Sequence, residues 1–324
     1  MNNVTGISRT RRLAIGGIAL ILGATAGCSK QSQGLDASSN EQIAAGLTDS
    51  LQRRQDDWSL QRVQQELIRR CMQKSKLLYY VTSAGPYPTQ TLLTDDTFTG
   101  VTPQGYGLYL HEIAQHVGVP DGQQATSKQD AYQRSLPAAQ QAQYTKAFFG
   151  SDSSRQSLRL PGGGEVSFPA EGCLAEALTQ IYGNVKKQAE LEAIPQIVRA
   201  QMNAKIGSDT AYRSAADAWR TCMQARGFNY KSPSDAINQL QSDYARAASP
   251  EQVLPKERNV AQADASCDAK TQLRLLQKQA RVRALAGIGA DLERQTLALL
   301  QLRDDAVSRA KSLLAASGSA VSVP

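Results

Sequence analysis

CMQARGFNY, residues 222–230, has an earlier counterpart in CMQKSKLLY, residues 71–79. Both run Cys-Met-Gln, three residues, a large apolar residue, one residue, Tyr. Read as a helix ending, Met223 is third from last, Gly227 lies just past the cap, and Phe228 follows it. In a Schellman ending the glycine turns left-handed, and the next apolar residue packs back on the third-from-last helical residue. Cys222, beside this latch, is placed to tie the helix end to another element. In the first copy Met72 and Leu77 take the latch positions and Lys76 stands for the glycine. Left-handed backbone costs lysine about 1 kcal/mol, which leaves the shape of the first stop open. The repeat therefore reads as two capped, disulfide-clasped helix ends rather than a ligand-binding signature.

Four cysteines follow Cys28: Cys71, Cys173, Cys222 and Cys267. An even number in an exported chain argues for two disulfides. A four-cysteine zinc site normally shows a C-x2-4-C pair, but here the closest two cysteines are 45 residues apart. Three connectivities are possible. Sequential pairing, Cys71–Cys173 and Cys222–Cys267, gives each half of the chain its own clasp and is favoured on that ground. It would close loops of about 102 and about 45 residues, stabilising by about 4.7 and about 4 kcal/mol, figures that do not choose among connectivities.

Export is read from residues 1–28, MNNVTGISRTRRLAIGGIALILGATAGC. Arg9, Arg11 and Arg12 form a positive n-region, Leu13 to Leu22 a short apolar core, and small residues lead to Cys28. Spanning a bilayer takes roughly 20 residues, so 1–27 reads as a signal peptide and stays out of the fold. Ala26-Gly27-Cys28 resembles the lipobox of bacterial lipoproteins, with Thr25 where that pattern prefers Leu. The resemblance implies a cleaved leader, lipidation of Cys28 with palmitate-type chains, and a cell-membrane anchor on the extracytoplasmic face. One acyl chain, at about 0.8 kcal/mol per buried methylene, holds only marginally; the two or three chains of a lipoprotein hold firmly. Thr10-Arg11-Arg12-Leu13 also looks like a twin-arginine signal. Ala14 stands where Phe is expected, so Sec and Tat export both stay open.

The leader holds 3 of the 36 basic residues and none of the 29 acidic ones, so the processed chain carries 33 against 29, a net +4. That suits a surface facing anionic lipid or cell-wall polymer. No basic stripe with interleaved aromatics occurs, which argues against nucleic acid.

Residues 28–40 are polar and small and read as a flexible tether. Ile43, Leu47 and Leu51 fall four apart, and Leu60, Val63, Leu67 and Cys71 step by three and four, predicting one helix from about Glu41 to near Lys76. Residues 82–107 read as a long irregular loop. Helices are expected over 108–117, 136–149 and 172–194, with Pro195 interrupting before about 204, and over 208–226. LRLPGGGEVSFP, 158–169, suits a small β-hairpin. Ser232-Pro233 reads as an N-cap followed by proline at the first helical position. From 250 to 316 the leucine spacing predicts one long helix, bent at Gly287–Gly289 and on the order of 90 Å, which needs a partner along its length. The expected fold is mostly α: antiparallel helices with a long C-terminal helix, a small β-hairpin near 158–169 and two disulfides. It forms a single helical domain over 41–316, in halves 41–205 and 206–316, with a disordered tail at 317–324.

Chemistry-bearing patterns are sparse. His111 and His116 are five apart, a turn of about 140° on a helix. The rings diverge where a metalloprotease motif needs an i, i+4 pair. Glu112 and His116 read as a surface contact. No G-x-S-x-G elbow or Walker loop occurs. Gly162-Gly163-Gly164 reads as a turn. Asp95-Asp96 and Asp304-Asp305 are neighbours in sequence, which does not oppose them across a cleft. No metal site and no cofactor follow from any of these. Tyr79, Tyr80, Tyr87, Tyr106 and Tyr109 cluster around the long loop; they are candidate ligand contacts that could equally pack beneath it.

Taken together, CM-x3-GF-x-Y, Gly105-Tyr106-Gly107, Tyr144 to Gly150, Gly172-Cys173 leading to Ile181-Tyr182-Gly183, Trp219 to Met223, and Val260 to Asp264 ahead of Cys267 resemble a group of secreted actinomycete lipoproteins of unassigned molecular function. The resemblance covers most of the mature chain. It implies location and a helical, disulfide-bearing body, and it transfers no catalytic residue. The functional expectation is an extracytoplasmic, membrane-anchored binding or scaffold protein with an envelope protein or glycan as partner. A cell-wall-acting enzyme with an unrecognised active site is the alternative.

Overall fold

The computed structural model describes residues 32–82, 94, 96–98, 105–116 and 121–316. The leader, Cys28, Tyr87, Asp95 and the 317–324 tail lie outside them. The described chain is mostly helical. In order it forms α1 (Ser32–Leu47), α2 (Leu51–Lys74), α3 (Leu108–His116), α4 (Asp121–Ser135), α5 (Ala138–Phe149), β1 (Gln156–Arg159), β2 (Glu165–Phe168), α6 (Gly172–Tyr182), α7 (Val185–Ile206), α8 (Thr210–Gln224), α9 (Pro233–Arg246), α10 (Leu254–Thr271), α11 (Leu273–Ala284) and α12 (Ala290–Ala316). The strands pair antiparallel, Gln156 opposite Phe168 and Arg159 opposite Glu165, across the three glycines. No helix of the described residues is long and apolar enough to cross a membrane.

The expected first helix is two helices. Ser50 sits in extended backbone and its hydroxyl accepts from the Arg53 amide, starting α2 afresh. α1 begins at Ser32 rather than near Glu41. Its first residues contain no proline, and helix seeded by the buried Ile43, Ala44 and Leu47 propagates back through them. The single helix expected over 250–316 is three. Gln272 adopts a left-handed backbone (φ 54), and the Asp268 carboxylate accepts from the Arg274 amide, capping α11. Gly287 and Gly289, both at positive φ, then separate α11 from α12. The expected helix over 172–194 divides at left-handed Gly183, followed by Asn184 as the N-cap of α7. α7 runs continuously through Pro195 instead of breaking there. α4 was not foreseen.

The C-terminal helix α12 is long, 27 residues, or about 40 Å. It packs on α1, α2, α6 and α7. Its buried residues, Thr296, Leu299, Arg303, Ala306, Val307 and Ala310, recur mainly at three and four. Two of them are alanine, which lets the neighbouring helices approach. The core clusters cross the chain midpoint: Ile43 and Leu47 of α1 and Val198 and Met202 of α7 pack with Ala280 and Leu285 from the α11 region. Phe98, Tyr106 and Leu108 pack with Trp219, Met223, Leu240 and Val260.

Candidate functional site

Both copies of the repeat end a helix in the same way. At the second, the Phe228 amide donates to the Met223 carbonyl at 3.0 Å and the Gly227 amide to Gln224 at 2.9 Å. At the first, Leu77 donates to Met72 at 3.1 Å and Lys76 to Gln73 at 2.9 Å. Lys76 takes the left-handed conformation (φ 58) that Gly227 takes at φ 83. So the first stop has the same Schellman shape despite lacking its glycine. Met72 and Met223 are fully buried, and Leu77 and Phe228 close over them. The motif tyrosines follow: Tyr79 stacks on Phe148 and Tyr230 on Phe228.

The cysteine beside each latch is bonded. Cys71 joins Cys173, tying α2 to the start of α6, with Cα atoms 5.5 Å apart. Cys222 joins Cys267, tying α8 to α10, with Cα atoms 5.7 Å apart. This is the sequential pairing. Gly172, next to Cys173, allows that clasp. At positive φ, a side chain there would meet the Gly150 amide at 2.4 Å and the Phe148 carbonyl at 2.7 Å. The close crossing of α5 and α6 thus requires the bare backbone.

Two carboxylates with no exposed surface organise the second half. Asp264 accepts from Trp219 Nε1 (2.8 Å), Tyr106 Oη (2.7 Å) and both Arg274 terminal nitrogens (3.1 and 2.7 Å). The Arg274 guanidinium also lies over the Phe98 ring, 4.9 Å from its centre. Glu257 accepts from the Leu108 and Tyr109 amides (3.0 and 3.1 Å), capping α3, and from Tyr244 Oη at 2.6 Å. Burial, reinforced by Glu257, pushes the Tyr244 phenol well above its ordinary value. The Gly105-Tyr106-Gly107 loop, Trp219 and the Val260–Asp264 run therefore meet at one saturated internal network. Its carboxylate oxygens are committed to protein donors, so it is a device for specifying the core. Glu257 escaped the sequence reading, and Asp264 entered it only as the end of the Val260–Asp264 run, without a role. Their signal was present: 257, 260, 261, 264 and 267 form one helical stripe, with two acids on its buried face.

The candidate tyrosines do not form one group. Tyr106 is buried, bonded to Asp264 and unavailable to a ligand. Its ring packs against Phe98 because the glycines on either side fold the loop into the core. Tyr109 is half-buried on α3, its hydroxyl 3.3 Å from Glu251. Tyr79 and Tyr80 lie elsewhere, in an aromatic array with Tyr132, Tyr144, Phe148 and Phe149. Phe149 and Leu78 keep 42% and 51% of their surface exposed.

Beside that array runs an open groove of about 720 Å³ between α2, α5 and α6. The Cys71–Cys173 bridge, Gln143, Lys146, Glu171 and Glu176 contribute to its walls. A smaller cleft of about 340 Å³ adjoins the end of α1. There Arg53 donates to the Gly46 carbonyl and Arg199 to Leu47, matching cations to the negative helix terminus. Asp96 is paired with Arg281 at 2.5 Å rather than facing a second free acid. Among the described residues, no group of three His, Cys, Asp or Glu side chains could hold a metal ion.

No protein-family model, curated protein or solved structure matches the chain.

Proposed function

We propose that the chain is a lipoprotein anchored through Cys28 on the extracytoplasmic face of the cell membrane, where its helical body binds or scaffolds an envelope component. The observation that carries this reading is the use of cysteine. Cys28 closes a leader of the lipobox type, and the four cysteines beyond it are all committed to disulfides. Such pairing belongs to oxidising compartments outside the cytosol. The resemblance to secreted actinomycete lipoproteins points the same way. The groove between α2, α5 and α6, walled by Gln143, Lys146, Glu171 and Glu176, is the contact face this reading favours for a glycan or protein segment.

The test is a fractionation with metabolic palmitate labelling. Wild type is expected labelled and in the membrane fraction; Cys28→Ala is expected unlabelled and released. A wild-type protein that stays unlabelled and soluble in the cytosol would remove the anchor and, with it, the proposed location.

A further inference from the structure

The two disulfides match in burial and differ in charge. In each, the motif cysteine (Cys71 or Cys222) is half-buried, and its partner is closed off, Cys173 at 2% and Cys267 at 0% exposure. Around the second bridge, Arg226 Nη1 lies 3.0 Å from Cys222 Sγ and 3.4 Å from Cys267 Sγ. The guanidinium is held there by its other nitrogen, which donates to Ser266 Oγ at 2.8 Å. Asp268, next to Cys267, is drawn off by Arg274, 3.7 Å away. Around the first bridge the nearest charged group is an acid: Glu176 Oε2 is 3.4 Å from Cys71 Sγ. A disulfide sulfur carries no proton, so that contact is not a hydrogen bond. Lys74 stands on the far oxygen of Glu176, at 3.6 Å, and does not touch a sulfur. The contrast is written in the repeat itself. Four residues past the cysteine, CMQAR has Arg226 where CMQKS has Ser75.

We propose that Cys222–Cys267 is a thiol–disulfide exchange site, activated by Arg226, while Cys71–Cys173 is its inert structural counterpart. An external thiolate attacks the accessible Cys222 Sγ and forms a mixed disulfide. The S–S electron pair leaves on Cys267 as a thiolate, facing the guanidinium. A second thiol of the reductant then resolves the mixed disulfide, so one dithiol is oxidised and both protein sulfurs end reduced. Exchange is faster when the leaving sulfur is the better thiolate, and cationic neighbours stabilise thiolates. At the first bridge Glu176 opposes the same charge, and a Cys71 thiol would donate its proton to that acid. The fitting partner is a small dithiol or a dithiol oxidoreductase approaching the end of α8.

The experiment treats the folded, full-length protein with dithiothreitol without denaturant. Open cysteines are alkylated at intervals and located by peptide mass spectrometry. Cys222 and Cys267 are expected to label roughly five- to tenfold faster than Cys71 and Cys173, because the sulfur facing the guanidinium leaves more readily as a thiolate. Arg226→Gln is expected to abolish that lead, Arg226→Lys to keep most of it, and Ser75→Arg to speed the first bridge. Circular dichroism confirms that each variant is folded. Equal opening of the two bridges, earlier opening of Cys71–Cys173, or an unchanged lead in folded Arg226→Gln would overturn the proposal. Should Arg226→Gln fail to fold, loss of the lead at high salt, which screens an exposed guanidinium, decides in its place.

Discussion

Lys76 holds a left-handed backbone where the second stop has glycine, and it is exposed. Lys76→Gly is therefore expected to stabilise the fold by about 1 kcal/mol, and Gly227→Ala to destabilise it by a similar amount. Urea unfolding with an unchanged slope would show both. The Met-to-Phe spacing made the second stop legible in the sequence. The first was not, because a strain of about 1 kcal/mol yields to a buried latch and an adjoining disulfide. Asp264 is the opposite case, a residue whose cost lies wholly in its partners. Asp264→Asn leaves the buried Arg274 without its main counter-charge, and the expected loss is about 3 kcal/mol. Tyr106→Phe removes one donor of four and is expected to cost about 1 kcal/mol. The buried roles of Glu257 and Asp264 were not visible to a reading that counts apolar residues, since both interrupt the apolar stripe they belong to.

Helix boundaries show where periodicity misleads. Leucines at mixed multiples of three and four run from 273 to 313, yet the helix expected from 250 onward breaks at Gln272, where Asp268 offers the next helix a cap. Capping acids read from sequence as ordinary surface residues, so only the glycine break between α11 and α12 was legible. At the start of α8, Asp209 caps the Tyr212 amide and pairs with Arg283 at 2.7 Å. The Arg283 hydrogen bond, then the cap, holds its carboxyl down to about 2 from 3.8. A depressed carboxylate stabilises fully above its ordinary value, and that contribution disappears as pH falls through the folded one. Thermal melts of wild type should therefore drop more steeply between about pH 4 and about pH 2 than those of Asp209→Asn. At the α1–α12 crossing, a side chain on Gly46 would meet Leu300 Cδ1 at 2.5 Å. Gly46→Ala is expected to cost about 1–3 kcal/mol by overpacking. Leu300→Ala in the same chain should recover at least about 0.5 kcal/mol beyond additivity.

The molecule as a whole is a set of helices that share cores across the chain midpoint and are clasped at two helix stops. α12 braces α1, α2, α6 and α7, so the two halves of the sequence are interleaved rather than stacked side by side. Fold class, hairpin and the presence of two disulfides were legible because each rests on strong local signals: helical periodicity, a triple glycine, and an even cysteine count; the count alone does not choose among three connectivities. The groove and the aromatic array were not, because Tyr79, Tyr132 and Phe148 come together only through the packing of α2, α4, α5 and α6. The reading of this protein as an exported, acylated and oxidised body is tested most directly by peptide mass spectrometry of the non-reduced protein taken from the membrane fraction. The expected result is an acylated N-terminal Cys28 together with Cys71–Cys173 and Cys222–Cys267 cross-linked peptides. Free thiols at those four positions, on a chain that retains its leader, would contradict it.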